Sequence, residues 1–257
     1  LGANEIISDL NIWFVIALRS SFTIILGLIC SYFVYPGLLE TIMWNELKLV
    51  LTASILGTLG LICMVSALKK GSLRQLGVFN LLTVFITVTY LIIFENLNIK
   101  YYLIGSFFIL IGFAFYLFQI KKNRVAEYSI KQYSLLSLMA LFFSSSGLLH
   151  WYNLKASIPV IASVLTQEST VFLIGISMFL FQPKKLIIEI VRNSINKIKL
   201  VFIMALIIFL AILFGFMGLK ITNPLISSLL SLSVPIITIL FGKIFFKENL
   251  NYYVSRT

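Results

Sequence analysis

The sequence predicts an all-α polytopic membrane protein with about eight transmembrane helices, on three observations. Hydrophobic residues make up 60% of the chain and charged ones only 11%, with a mean hydropathy of +1.05, whereas soluble domains carry charge at about a quarter of their positions. Apolar stretches of roughly 18 to 24 residues recur along the chain, each long enough at about 1.5 Å per residue to cross a hydrocarbon core of about 30 Å. The stretches are continuously apolar and do not alternate, which selects helices over a closed barrel, the other way a backbone satisfies itself in lipid.

The first stretch, about Leu10–Val34, follows Asp9 and carries Arg19 inside it. The second, about Leu49–Leu68, lies between Lys48 and the pair Lys69-Lys70; the third, about Leu76–Phe94, runs from beyond Arg74 to Glu95. A fourth, about Tyr101–Ile120, starts after Lys100 and stops at Lys121-Lys122. The fifth, about Tyr133–Tyr152, closes on His150-Trp151-Tyr152, and the sixth, about Pro159–Phe181, opens on a proline and contains Glu168. The seventh, about Leu200–Gly218, lies between Lys199 and Lys220; the eighth, about Pro224–Phe246, opens on Asn223-Pro224 and stops at Lys247-Glu248. Charges that would be expensive in hydrocarbon thus punctuate every stretch.

The chain repeats itself. Glu-Asn-Leu-Asn occurs at Glu95–Asn98 and at Glu248–Asn251, each time after an apolar stretch and before paired tyrosines. Lys48-Leu49-Val50 matches Lys199-Leu200-Val201 and Leu68-Lys69 matches Leu219-Lys220, both offset by 151 positions (199−48, 219−68), against 153 for the tetrapeptide (248−95). A duplication with one small indel explains all three. The reading divides the chain into a first repeat, 1–120, a basic connection, 121–132, and a second repeat, 133–257. Five stretches separate Lys48 from Lys199, and an odd number of crossings inverts the copy. Inverted repeats give two half-sites that can rock about a central cavity near the bilayer midplane, the architecture of many secondary transporters.

The run Gly57-Thr58-Leu59-Gly60 through Ser66-Ala67-Leu68-Lys69, the stretch ending Phe94-Glu95-Asn96-Leu97, and the run Asn223-Pro224 through Ser233-Val234-Pro235 to Lys247-Glu248-Asn249-Leu250 resemble the EamA-like branch of the drug/metabolite transporter superfamily. In that family each half has five helices, the third ending in a segment similar to Ala-Leu-Lys and the fourth carrying a mid-helix proline and ending in Gly-Glu-Arg-Leu. Here Phe94 and Lys247 replace the glycine before each Glu, and Leu82 stands where the second half has Pro235. The resemblance implies a ten-helix (5+5) inverted-repeat fold of which this chain carries helices two to nine, and a transporter of small organic metabolites, amino acids or drug-like compounds, in a bacterial inner membrane. Export by alternating access is the direction it implies. It also implies a structural role for an arginine near Arg19.

Charge speaks to orientation. If the stretches alternate, the side of residues 1–9 carries fifteen Lys and Arg residues, among them Lys69, Lys121, Lys184 and Lys243, and the other side only Lys48, Lys100, Lys155 and Lys220. The positive-inside rule makes the first side cytoplasmic. The family pattern would place that side outside, and the charge reading is the one taken here. The net charge of +11 is accounted for by these loops, so nucleic acid is not an implied partner; the bilayer and a small solute are. Residues 1–9 do not read as a signal peptide, having neither a basic start nor an apolar core. Cys30 and Cys63, within apolar stretches, read as two buried thiols.

Catalytic and metal constellations are missing from the sequence: it has no His-Glu-x-x-His, Cys-x-x-Cys or phosphate loop. No enzyme activity and no cofactor are expected; a membrane enzyme acting on a lipid-linked substrate would need a cluster of Asp, His or Arg at an interface, and a non-transporting scaffold has no need of inverted repeats. His150, beside Trp151 and Tyr152 at a stretch's end, reads as an interfacial anchor. The candidate ion-coupling residues are Glu168 and Arg19, each about nine residues into its stretch and therefore about 13 Å from opposite faces, near enough for an ion pair. The candidate substrate groups are Asn80, Thr83 and Thr87 on one helical face, Ser231 with Pro235 in the repeat partner, and Ser144 and Ser146. Such residues either line a polar cavity or glue membrane helices together.

Overall fold

A computed structural model describes residues 11–34, 36, 44–68, 73–95, 107, 111–112, 130–156, 158–182 and 197–231. They form seven α-helices, with no strand among them: α1 (Ile12–Val34), α2 (Trp44–Leu68), α3 (Leu73–Phe94), α4 (Ile130–Lys155), α5 (Val160–Leu180), α6 (Ile198–Ile221) and α7 (Pro224–Ser231). Seven of the eight apolar stretches correspond to these helices, and the protein is all-α. The stretch Tyr101–Ile120 falls almost wholly outside the described residues, as do Pro235 and the end of the eighth. α2 and α4 each extend beyond the apolar stretch that marks them, because helical hydrogen bonds continue into the polar end turns after apolarity has stopped.

Five helical segments are long and apolar enough to cross a membrane: Ile12–Val34, Leu47–Ala67, Ile130–Lys155, Val160–Leu180 and Ile198–Ile221. Their surfaces fit that medium. Ile29 on α1, Leu173 on α5 and Ile207 and Phe214 on α6 are exposed, while Arg19, Ser20, Thr23, Ser163 and Glu168 are buried. An apolar exterior around a partly polar interior is stable in hydrocarbon and unfavourable in water. The protein is an integral membrane protein.

The residues fall into two compact units. The first combines residues 1–58 with 149–222, the second 59–148 with 223–257. Each unit therefore draws on both sequence halves, 1–120 and 133–257; packing follows contacts between distant stretches and does not respect the order of the chain.

In the first unit α1 packs most extensively on α5, and α6 packs on both. Glycine permits the closeness. A Cβ on Gly175 of α5 would lie 3.1 Å from the Ala17 backbone nitrogen of α1, and one on Gly27 of α1 would lie 2.8 Å from Leu165 Cδ2 of α5. Phe14 stacks on Phe179 with ring centroids 4.9 Å apart. Numbers rising along α1 meet numbers falling along α5, so the two helices are antiparallel. α1 begins at Asn11, whose Oδ1 accepts the backbone N–H of Trp13 at 2.9 Å, the side-chain cap that satisfies an otherwise orphaned first-turn donor.

In the second unit Cys63 and Ala67 of α2, Phe79 of α3, and Leu136 and Met139 of α4 form one apolar cluster. Gly60 lets the Phe143 ring approach to where a Cβ would sit 2.7 Å away. α7 packs on α3; it starts with Pro224, which needs no N–H there, after Asn223, whose Oδ1 accepts the Ile226 N–H.

Candidate functional site

The polar centre of the first unit lies between α1 and α5. Arg19 Nη1 stands 3.1 Å from Glu168 Oε2, with Arg19 8% and Glu168 1% exposed. Arg19 Nη2 donates to the Ser20 hydroxyl at 3.0 Å, and Ser20 lies within hydrogen-bonding reach of the Glu168 carboxyl as well. The ion pair anticipated from matching depths is thus formed. The contact is an ion pair between two buried charged groups, with Ser20 beside both.

The sequence builds this pocket locally. Ala17, Ser20, Thr23 and Gly27 recur at three- and four-residue spacing, so small side chains face α5 and leave Arg19 room to lie between the helices. The backbone beside it is tied down: Thr23 Oγ1 donates to the Arg19 carbonyl at 3.0 Å. On the far side of α5, Thr170 Oγ1 and Thr58 Oγ1 of α2 lie 3.1 Å apart and share a hydrogen bond.

The candidate substrate groups belong to the second unit. Thr87 is buried and donates to the Thr83 carbonyl at 2.9 Å. Asn80 and Thr83 are half-buried on the same helical face, and the Thr83 hydroxyl has no partner. Ser144 is buried and donates to the Leu141 carbonyl; Ser146 is buried too. The Thr87 and Ser144 hydroxyls are therefore satisfied within their own helices, as Ser54 and Thr58 are in the first unit. That is how a membrane helix buries a hydroxyl at little expense. The Ser231 side chain and Pro235 lie outside the described residues.

His150 corrects an expectation. It is 1% exposed, five residues before the end of α4, with its ring 4.6 Å from that of Phe216 on α6. At the helix end itself stands Lys155, whose Nζ sits 3.9 Å above the Trp151 ring. The apolar stretch was read as ending at Tyr152, but α4 runs on to Lys155, and that extra turn carries His150 away from the helix end. Neither ring nitrogen of His150 has a partner, nor has Asn153 Nδ2 or Ser163 Oγ, both also buried. Asn153 and Ser163 were not singled out from sequence. The signal that points to Asn153 is its spacing of three from His150, which puts two polar side chains on one face of an otherwise apolar helix end.

Both cysteines are free, Cys63 buried and Cys30 half-buried. Among the described residues no group of three or more His, Cys, Asp or Glu side chains is placed to hold a metal ion. No family model matches the sequence, and no curated protein matches it.

Proposed function

We propose that the protein is a secondary active transporter that exports a small organic metabolite, an amino acid or a drug-like compound, across a bacterial inner membrane by alternating access, with protons as coupling ion. The observation that carries the reading is the buried Arg19–Glu168 pair in a bundle with an apolar exterior. An acid deep in a membrane helix is expensive and marks function by default. Of the two partners only the carboxylate can take up and release a proton, since a guanidinium stays charged. Glu168 is accordingly the residue that exchanges a proton against solute, and Arg19 holds it in place while it is ionised.

The internal repeat supports the same reading, because antiparallel copies supply the two half-sites that alternating access needs. Asn80, Thr83, Thr87, Ser144 and Ser146, with Ser231 and Pro235, are the proposed solute-facing groups. The reading assigns no catalytic step and no cofactor.

Its test is transport by the complete gene product in proteoliposomes. Glu168→Gln keeps an acceptor beside Arg19 and removes the proton carrier. It is expected to abolish solute accumulation driven by a pH gradient while leaving solute counterflow, which needs no net proton movement. Gradient-driven accumulation by this variant at the wild-type rate would show that Glu168 does not couple transport to protons.

A further inference from the structure

Three side chains meet between α1 and α5. Arg19 Nη1 stands 3.1 Å from Glu168 Oε2, Arg19 Nη2 donates to Ser20 Oγ at 3.0 Å, and the Ser20 hydroxyl lies beside the Glu168 carboxyl as well. Ser20 is 0% exposed and Glu168 1%, so bulk water does not compete for these contacts.

The use of its proton sets Ser20 apart. Thr23, Ser54, Thr58 and Thr87 are buried too, and each donates to the carbonyl four residues earlier in its own helix, the usual fate of a hydroxyl inside a helix. Among the described residues Ser20 makes no bond of that kind; its oxygen is engaged as an acceptor, by Arg19. A hydroxyl has one proton to give and two lone pairs, and a guanidinium accepts nothing. The Ser20 proton is therefore left for the carboxylate, while one lone pair holds Arg19.

The two states of Glu168 ask different things of a neighbour. A carboxylate only accepts hydrogen bonds, whereas a carboxylic acid carries an O–H that needs an acceptor. Arg19, which only donates, serves the ionised state alone. Ser20 serves both, because its second lone pair can take the acid's O–H while its own proton turns to the carbonyl of Ile16, four residues earlier, as the other buried hydroxyls do.

Resting on the proton-coupling reading, we infer that Ser20 is a positioning residue for proton exchange at Glu168, donating to the carboxylate and accepting from the carboxylic acid. The proton that Glu168 takes up comes from an aqueous phase and returns to one; Ser20 turns but keeps its own. Few other ionisable groups bear on this exchange. On α6, which packs on α1 and α5, they are Lys199 and Lys220, both exposed at the helix ends. On α2, which meets α5 through Thr58 and Thr170, Glu46 and Lys48 stand at the helix start and Cys63 beyond Thr58, and on α1 itself Cys30 and Tyr32 lie three turns past Arg19.

The test is infrared difference spectroscopy of the complete gene product in proteoliposomes, following the carbonyl stretch of protonated carboxylic acid as pH is changed, with no solute added. The titrating band that Glu168→Gln removes belongs to Glu168. A hydrogen bond to an ionised acceptor is roughly twice as strong as one between neutral groups, so loss of the Ser20 hydroxyl weakens the carboxylate state more than the acid. In Ser20→Ala the Glu168 band should persist to higher pH, its midpoint displaced by about one unit, a roughly tenfold change in proton affinity. Ser20→Thr keeps the hydroxyl and should titrate as the wild type does, even where its added methyl lowers the melting temperature. Ser20→Cys, with a weak donor of similar size, should shift in the same direction as Ser20→Ala by less, and it carries the test if Ser20→Ala does not fold. The midpoint does not depend on how much folded protein is present, which separates this role from a merely structural one. A wild-type midpoint in Ser20→Ala, or in Ser20→Cys where Ser20→Ala is unfolded, overturns the role of Ser20 and leaves the coupling reading standing; so does a midpoint displaced as far in Ser20→Thr as in Ser20→Ala. Absence of any titrating band that Glu168→Gln removes takes away the coupling reading, and the role of Ser20 with it.

Discussion

Glu168→Leu is expected to be the most destabilising change in the first unit, and more so than Arg19→Met. Either substitution leaves a buried charge without its partner, a loss of about 3–5 kcal/mol for pairs of this kind. The two losses differ because the survivors differ. A carboxyl left alone can neutralise itself by taking up a proton, whereas a guanidinium cannot lose one. The double variant Arg19→Met/Glu168→Leu should recover most of the stability of the wild type, since an apolar pair of similar volume fills the space without charge. Thermal unfolding of the four proteins in detergent measures this directly. A double variant no more stable than Glu168→Leu, or an Arg19→Met as damaging as Glu168→Leu, would show that the contact contributes through something other than paired charge. The double variant is also expected to be inactive in gradient-driven transport, which separates the pair's structural contribution from the coupling proposed for it.

The second large effect is expected at Gly175. Its Cβ would meet the Ala17 backbone, nitrogen at 3.1 Å and Cα at 3.3 Å, and the backbone of a packed helix cannot rotate aside. Gly175→Ala should destabilise by about 1–3 kcal/mol, the usual penalty of overpacking, and Gly175→Val by more. Gly27 is the control. The nominal contact there is shorter, 2.8 Å, but the atom met is Leu165 Cδ2, the far end of a side chain that can change rotamer. Gly27→Ala should therefore be milder than Gly175→Ala. The reverse order in detergent melting curves would contradict the antiparallel register of α1 and α5 and, with it, the placement of Arg19 beside Glu168.

Helices were legible where apolarity alone places them. α1 and α5 begin and end within two residues of the stretches read from sequence, because their boundaries coincide with polar or proline residues. Boundaries were less legible at α2 and α4, whose ends run into polar sequence that hydrophobicity does not mark as helix. His150 was misread for that reason: a helix end placed at Tyr152 makes it an anchor, and an end at Lys155 makes it interior.

For the site, sequence offered residue types and depths. Arg19 and Glu168 are visible as charges inside apolar stretches, and helical rise gives each a level in the membrane. It could not give their azimuth, which decides whether they face each other or lipid. Likewise the hydroxyls of Thr87 and Ser163 look alike in sequence. One bonds to the carbonyl four residues earlier in its own helix; the other, equally buried, has no hydrogen-bond partner.

By itself, then, the sequence determined that this chain is a set of helices crossing a bilayer, because lipid tolerates so few backbone arrangements that length and apolarity suffice to select one. Which helices become neighbours was decided only by tertiary structure. α1 meets α5, more than a hundred residues away, through glycines and small side chains whose fit depends on the partner surface. That packing brings Arg19 onto Glu168. No local pattern encodes it, because contact between distant helices is a property of two surfaces together.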